Sequence, residues 1–147
     1  MERTATVPPA TATAPFPARV LVADDEDDIR ALVCLAVLRA GCAVTGAVAD
    51  GSTALAAIRA DLPDVAVLDV TMPGATGLEV CAALRADPVT TGIRILLLSA
   101  GASPDDVARG LSAGADAYLA KPFAVSGLVS QVRALTGAEG RSARQPA

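Results

Sequence analysis

The sequence predicts a doubly wound α/β domain, in which a five-stranded parallel sheet carries helices on both faces. Three observations predict this fold class. Short apolar segments alternate five times with segments of helical periodicity, in the order (βα)5. Several of the apolar segments are continuous rather than alternating, which is typical of strands buried on both faces of a sheet. Hydrophobic residues make up 52% of the 147 residues, enough for a substantial core.

The five strands are predicted from the apolar segments in chain order. The first, third and fourth segments are the continuous ones, and these are expected at the centre of the sheet. The predicted strands are RVLVA (19–23), AVTGAVA (43–49), DVAVLD (64–69), RILLLS (94–99) and AYLA (117–120).

The five predicted helices lie after the strands. The first is indicated by apolar residues at helical spacing and is ended by Gly41. The fourth has the clearest start, because Ser103 stands at the N-cap, Pro104 at the first helical position and Asp106 where a capping box needs an acid. The other helices are predicted in GSTALAAIRA (51–60), in GLEVCAALRAD (77–87) and along the apolar stripe from Val125 to Leu135.

The domain is predicted to cover residues 18–136. Residues 1–17 are rich in Pro, Thr and Ala and are expected to form a flexible tail, and residues 137–147 a second one. The second tail is too short to fold as an output domain, so we expect a single-domain protein or a fragment of a longer one. No apolar segment approaches the roughly 18 residues of a membrane span, and no signal peptide is recognisable. We therefore expect a cytoplasmic protein without a membrane partner.

Composition excludes several classes of function. The net charge of −4 argues against direct nucleic-acid binding, which favours clustered Lys and Arg. The sequence contains no His, so a mechanism that needs an imidazole base is excluded. Cys34, Cys42 and Cys81 fall at scattered spacings, which favours buried small hydrophobic residues over metal ligands.

The polar residues of most interest follow the predicted strands. Asp24 and Asp25 come after the first strand, Asp69 ends the third, Ser99 ends the fourth and Lys121 follows the fifth. Ligands bind at the carboxyl ends of the strands in an open α/β sheet. The sequence thus predicts that three carboxylates, a hydroxyl and an ammonium group converge on one edge.

Each of these residues also has a simpler interpretation. Acids at a helix start are favourable, which would account for all of Asp24 to Asp28, and we assign that role to Glu26, Asp27 and Asp28. Asp69 would be a turn residue before TMPG. Ser99 resembles a turn residue, and Lys121 a solvated surface residue. Four such coincidences on one edge are much less expected than any one of them.

The chemistry of the set is coherent. Three neighbouring carboxylates repel one another unless a cation joins them, and their hard oxygen atoms suit Mg²⁺. A carboxylate can act as a nucleophile toward phosphorus, and the transferred phosphoryl oxygens are then neutralised by a metal ion and a lysine. A hydroxyl such as that of Ser99 can bond a further phosphoryl oxygen.

At this point the sequence resembles the receiver domains of bacterial two-component response regulators. The resemblance covers roughly residues 18–136, and four motifs in this order carry it: VLVADDEDDIR, VAVLDVTMPGATGLEV, ILLLSAGAS and GADAYLAKPF. It implies a flavodoxin-like fold with strand order 2-1-3-4-5.

The resemblance also implies how the site would work. Asp69 matches the phosphoacceptor, and Asp24 and Asp25 match the acidic pair that holds Mg²⁺. Asp69 itself and the backbone carbonyl of Thr71 match further metal ligands. Such a domain is a phosphoprotein and a signalling module rather than an enzyme, although it promotes its own phosphorylation and dephosphorylation.

The remaining matches concern switching and partners. Ser99 matches the switch hydroxyl, and Tyr118 the switch aromatic whose ring moves inward on phosphorylation; a half-buried strand-edge aromatic is the alternative for Tyr118. Lys121 matches the site lysine, and its bond to Pro122 is expected to be cis. The implied partners are a sensor histidine kinase or histidine phosphotransfer protein and an unknown downstream protein.

Two other functions compete with the phosphotransfer switch. A phosphorylation-independent binding module on the same fold would be free to lose one of the five site residues, and all five are present. A Mg²⁺-dependent aspartyl phosphatase would need a second Asp two residues after the nucleophile, where Thr71 stands instead.

Overall fold

The computed structural model describes residues 17–137, and the two predicted tails lie outside this range except for Pro17 and Gly137. Five strands and five helices alternate along it, as predicted. The elements are β1 (Arg19–Ala23), α1 (Asp27–Arg39), β2 (Ala43–Val48), α2 (Gly51–Asp61), β3 (Val65–Asp69), α3 (Gly77–Ala86), β4 (Arg94–Ser99), α4 (Pro104–Ser112), β5 (Ala117–Ala120) and α5 (Val125–Thr136).

The five strands form one parallel sheet in the order β2-β1-β3-β4-β5. This order confirms the one implied by the family resemblance. Each residue of β3 is buried, and so are the last four of β1 and the last five of β4. The continuous apolar segments are therefore the three central strands, because those are covered on both faces.

Alternate residues of each central strand enter two separate hydrophobic clusters. On β1, Val20 and Val22 pack with α1 and α5, whereas Leu21 packs on the opposite face with α2 and α3. This division follows from the two-residue period of a strand. The sheet thus lies between two layers of helices. The polar residues of interest lie at the ends of its strands.

Element boundaries differ from the predicted ones by single residues, because polar side chains end the elements. The strand β2 ends at Val48, and Asp50 caps α2 by accepting the Thr53 N–H at 2.7 Å. The strand β3 begins after Asp64, whose carboxylate accepts the Arg19 N–H at 2.8 Å. The predicted capping box of α4 is confirmed, with Ser103 as the N-cap.

The three cysteines are free thiols. Cys42 and Cys81 are buried and Cys34 is half-buried, and burial raises the pKa of all three thiols. The prediction of buried hydrophobic cysteines is therefore confirmed for two of them. Within residues 17–137, none of the helices combines the length and the apolar character that crossing a membrane requires.

Candidate functional site

Three carboxylates meet at the carboxyl ends of the two central strands β1 and β3. Asp24 follows β1 and is fully buried, Asp25 next to it is exposed, and Asp69 at the end of β3 is 4% exposed. Because β1 and β3 are paired, one oxygen of each group lies within 4.8 Å of the others. The predicted convergence of these acids is confirmed.

The acidic cluster has the character of a cation site. One oxygen of Asp24, Oδ1, accepts the backbone N–H of Glu26 at 2.9 Å. The other oxygen, Oδ2, is buried, and the Lys121 ammonium lies 3.0 Å from it. One lysine cannot offset three neighbouring carboxylates, and hard carboxylate oxygens are the ligands that Mg²⁺ prefers. The residues present therefore fit a magnesium ion held by carboxylate oxygens.

Thr71 lies in the loop between β3 and α3, beside the carboxylate cluster. Its backbone N–H donates to Asp69 Oδ1 at 3.3 Å. The loop is packed closely, because a Cβ added at Gly51 of α2 would lie 1.8 Å from the Ala75 carbonyl oxygen. The start of α2 thus fixes the loop that carries Thr71, a contact that the sequence analysis did not anticipate.

The ammonium group of Lys121 lies among the carboxylates. Its Nζ is 3.0 Å from Asp24 Oδ2 and 3.4 Å from Asp69 Oδ2. The backbone brings it there, since the Lys121 N–H donates to the Ser99 carbonyl at 2.8 Å. The bond from Lys121 to Pro122 is cis, as expected. The simpler interpretation of Lys121 as a solvated surface residue is wrong.

Glu26 also contacts this lysine. Its Oε1 accepts a hydrogen bond from Lys121 Nζ at 3.1 Å. Glu26 stands at the N-cap of α1, but its side chain makes no capping hydrogen bond. The sequence predicts only a helix-start role for Glu26, as for Asp27 and Asp28, which do lie in the first turn of α1. The contact with Lys121 was missed.

The electrostatics of the cluster reflect its crowding. Burial, and next the charge of Asp24, raise the pKa of Asp69 to about 6, although Lys121 opposes the shift. Burial disfavours the charged form of Lys121, but its bonds to Asp24 and Glu26 outweigh that effect and raise the pKa of the ammonium. The site therefore holds more negative charge than one lysine can offset.

Ser99 and Tyr118 are linked through the backbone of one residue, Gly101. Ser99 is buried at the end of β4, and its Oγ accepts the Gly101 N–H at 3.0 Å. The Tyr118 hydroxyl donates to the Gly101 carbonyl. The Tyr118 ring lies against α4, where a Cβ added at Gly110 would be 2.7 Å from a ring carbon. Tyr118 is half-buried, and it connects the end of β4 with α4.

Fold and site together define a doubly wound α/β domain with an acidic cation site, a buried hydroxyl and a lysine at its strand ends. The family model of the response regulator receiver domain matches residues 20–133 of this chain. The chain therefore belongs to the receiver-domain family of two-component response regulators. Phosphorylation-based switching is the general function of that family.

Individual relatives agree with this assignment. The DNA-binding response regulator MtrA of Mycolicibacterium smegmatis is 42% identical over 116 residues, which cover 79% of this chain and 49% of MtrA. The transcriptional regulatory protein CseB of Streptomyces coelicolor is 44% identical over 116 residues, which cover 79% of this chain and 48% of CseB. The chain thus spans about half the length of these curated relatives.

A solved structure agrees in fold as well. The chemotaxis response regulator CheY4 of Vibrio cholerae has a TM-score of 0.75 to this structure and is 35% identical. The match covers 81% of this chain and 98% of the CheY4 chain. The similarity therefore extends over about four fifths of this chain and nearly all of CheY4.

Proposed function

We propose that this chain is a phosphorylation switch in which Asp69 accepts a phosphoryl group. The observation that supports the proposal best is the cluster of Asp24, Asp25 and Asp69, in which Asp24 and Asp69 contact the Lys121 ammonium. Asp69 is the carboxylate that ends the central strand β3, and its Oδ2 is within reach of the lysine. It therefore has the position expected of a nucleophile flanked by charge-neutralising groups.

In the proposed reaction an Asp69 carboxylate oxygen attacks the phosphorus of the donor. The bond between phosphorus and the donor's leaving group breaks, the leaving group takes that electron pair, and an acyl phosphate remains on Asp69. Mg²⁺, held by Asp24, Asp25, Asp69 and the Thr71 carbonyl, would supply positive charge for the phosphoryl oxygens when bound.

The other residues act on the phosphoryl group once it is attached. The Lys121 ammonium offsets charge on one phosphoryl oxygen, and the Ser99 hydroxyl donates to another. When Ser99 turns toward the phosphoryl group, it gives up its bond from the Gly101 N–H. The Gly101 carbonyl, which holds the Tyr118 hydroxyl, is part of the same segment, so Tyr118 and α4 respond to the change.

A histidine kinase or a histidine phosphotransfer protein is the proposed donor, since receiver domains interact with histidine kinases. The proposed output is an altered protein-binding face around Tyr118 and α4, with an unidentified protein as the target. The module acts by its state rather than by turnover, and it promotes its own phosphorylation and dephosphorylation.

The test is the intact mass of the protein after incubation with acetyl phosphate, with and without Mg²⁺. We expect a Mg²⁺-dependent gain of one phosphoryl group in the wild type, no gain in Asp69→Asn, and an unchanged gain in the control Asp28→Asn. Stable labelling of Asp69→Asn would refute the acceptor assignment. No labelling of the wild type under any condition would favour a binding module that works without phosphorylation.

The metal assignment has its own test. Asp25→Ala removes an exposed ligand without opening the core, so we expect much weaker Mg²⁺ binding in calorimetry and an intact fold by circular dichroism. An unchanged affinity would place the metal elsewhere.

A further inference from the structure

Glu26 is the residue at the edge of the site that the proposed mechanism leaves unused. It directly follows the acidic pair, and 62% of its side chain is exposed. Even so, its carboxylate is bonded to Lys121, which lies 95 residues further along the chain. Water would solvate an exposed glutamate at a helix start equally well, so the solvation of Glu26 does not explain this contact.

Lys121 is divided among three carboxylates. The distances from Nζ are 3.0 Å to Asp24, 3.1 Å to Glu26 and 3.4 Å to Asp69, so the proposed acceptor is the farthest of the three. A phosphoryl oxygen on Asp69 would therefore compete for the ammonium with its two nearer partners, Asp24 and Glu26.

The two competing partners differ in their freedom to release the lysine. Asp24 is fully buried, and its Oδ1 is held by the Glu26 N–H. The Glu26 side chain is largely in solvent, so its carboxylate can exchange the ammonium for water at low cost. The contact between Glu26 and Lys121 is thus the adjustable one.

We propose that Glu26 is a positioning residue, which holds the Lys121 ammonium away from Asp69 in the unphosphorylated domain and so slows phosphoryl capture. The inference rests on the proposed role of Asp69 as the acceptor. Glu26 sets the resting position of the lysine, and the arriving phosphoryl group has to displace it. Removing the Glu26 carboxylate leaves Lys121 nearer to the acceptor and speeds the first step.

The test compares initial rates of phosphorylation by acetyl phosphate at saturating Mg²⁺, followed by intact mass. Glu26→Gln should be phosphorylated about twofold to fivefold faster than the wild type, which is the range that an ion pair at the surface supports. Glu26→Asp keeps the charge but shortens the reach to Lys121, and it should be faster as well. Asp28→Asn is the matched control in the same helix turn, and its rate should equal that of the wild type.

A second readout observes the lysine directly. Lys121 is the only lysine in the sequence, so protein labelled with ¹⁵N-lysine gives one side-chain ammonium signal in NMR. That signal should shift in Glu26→Gln and Glu26→Asp and stay in place in Asp28→Asn.

The outcomes separate this inference from the proposed function. If the wild type is labelled and Glu26→Gln has the wild-type rate, the positioning role of Glu26 is wrong. If Glu26→Asp behaves as the wild type, or Asp28→Asn is accelerated equally, Glu26 only repels the anionic donor and the inference fails. If the wild type is not labelled at all, the proposed function itself fails.

Discussion

The helices α4 and α5 cover opposite faces of the sheet beside β5, but they are attached by different means. Leu128, Val132 and Leu135 of α5 are buried in the cluster shared with α1. In α4 the only buried residue is Gly110, which has no side chain to insert into the core. A fully buried leucine or valine contributes about 1.5–3 kcal/mol, so α5 is anchored by apolar burial and α4 is not.

The difference shows which part of the domain can respond to the site. The helix α4 lies on the Tyr118 ring at Gly110, and the Tyr118 hydroxyl bonds to the Gly101 carbonyl near Ser99. A change at the end of β4 would therefore reach α4, a helix that is anchored by little buried apolar surface. The helix α5, by contrast, is held in place by its buried apolar residues.

The largest expected effect tests the anchoring of the two helices. Leu128→Ala in α5 should lower the free energy of unfolding by about 2–5 kcal/mol, because it leaves a cavity in the core. Leu111→Ala in α4 should change it by less than about 0.5 kcal/mol, because Leu111 is 48% exposed. Urea denaturation of both variants makes the comparison, and similar losses would show that α4 is anchored as firmly as α5.

The second prediction compares a glycine in each helix. Gly110→Ala should destabilise the domain by about 1–3 kcal/mol, since the new methyl group would overlap the Tyr118 ring and Leu97. Gly127→Ala in α5 meets no atom within 4 Å, so it should stabilise by about 0.5–1 kcal/mol.

The reporter for this pair is already in the chain. Tyr118 is the only tyrosine and the sequence has no tryptophan, so intrinsic fluorescence reports on that ring alone. The emission should change in Gly110→Ala and not in Gly127→Ala. An unperturbed Tyr118 signal in Gly110→Ala would contradict the contact.

The third prediction concerns the N-cap residues of α4 and α5. Ser103 caps α4 by accepting the Asp106 N–H, whereas Ala124 at the N-cap of α5 offers no side-chain bond. Ser103→Ala should cost about 1 kcal/mol, and Ala124→Ser should gain a smaller amount. Thermal melts of the two variants should thus shift in opposite directions, and equal shifts would show that capping does not distinguish the helices.

The smallest expected effect is the loss of stability at the start of α4 at acidic pH. The bond from Ser103, and next Arg109, lower the pKa of Asp106, so the ionised form stabilises the folded helix. The stabilising contribution of ionised Asp106 is therefore fully present above the ordinary pKa of an aspartate. It is lost as the pH falls through the lowered pKa of Asp106. The start of α4 should therefore fray in acid before the start of α5, which has no acid in its first turn.

This fraying can be followed through the backbone chemical shifts of α4 and α5 during a pH titration. Asp106→Asn is the control, and it should reduce the pH dependence of the α4 signals. The same titration curve in both helices would contradict the prediction.

Much of the fold was predictable because its signals are local. A strand covered on both faces needs apolar residues throughout, so β1, β3 and β4 stand out as continuous segments. Single polar side chains such as Asp50 and Asp64 moved the boundaries by one residue. The strand order came from the family resemblance, since no short segment says which strands pair.

The candidate site was predictable to a similar extent. Parallel strands share their carboxyl edge, so the positions of Asp24, Asp69 and Lys121 at strand ends predict that they meet. Glu26 could not be placed in this way. Its position at a helix start already had a sufficient local explanation, and its partner is 95 residues away.

By itself, the sequence determined the alternation of strands and helices, the capping box at Ser103 and the set of polar residues at the strand ends. These features depend on contacts within a few residues or on one shared edge. Only the tertiary structure decided that Glu26 bonds Lys121 and that the Tyr118 ring lies on Gly110. Such contacts depend on how distant elements pack, to within a few tenths of an ångström, and local pattern carries no record of that.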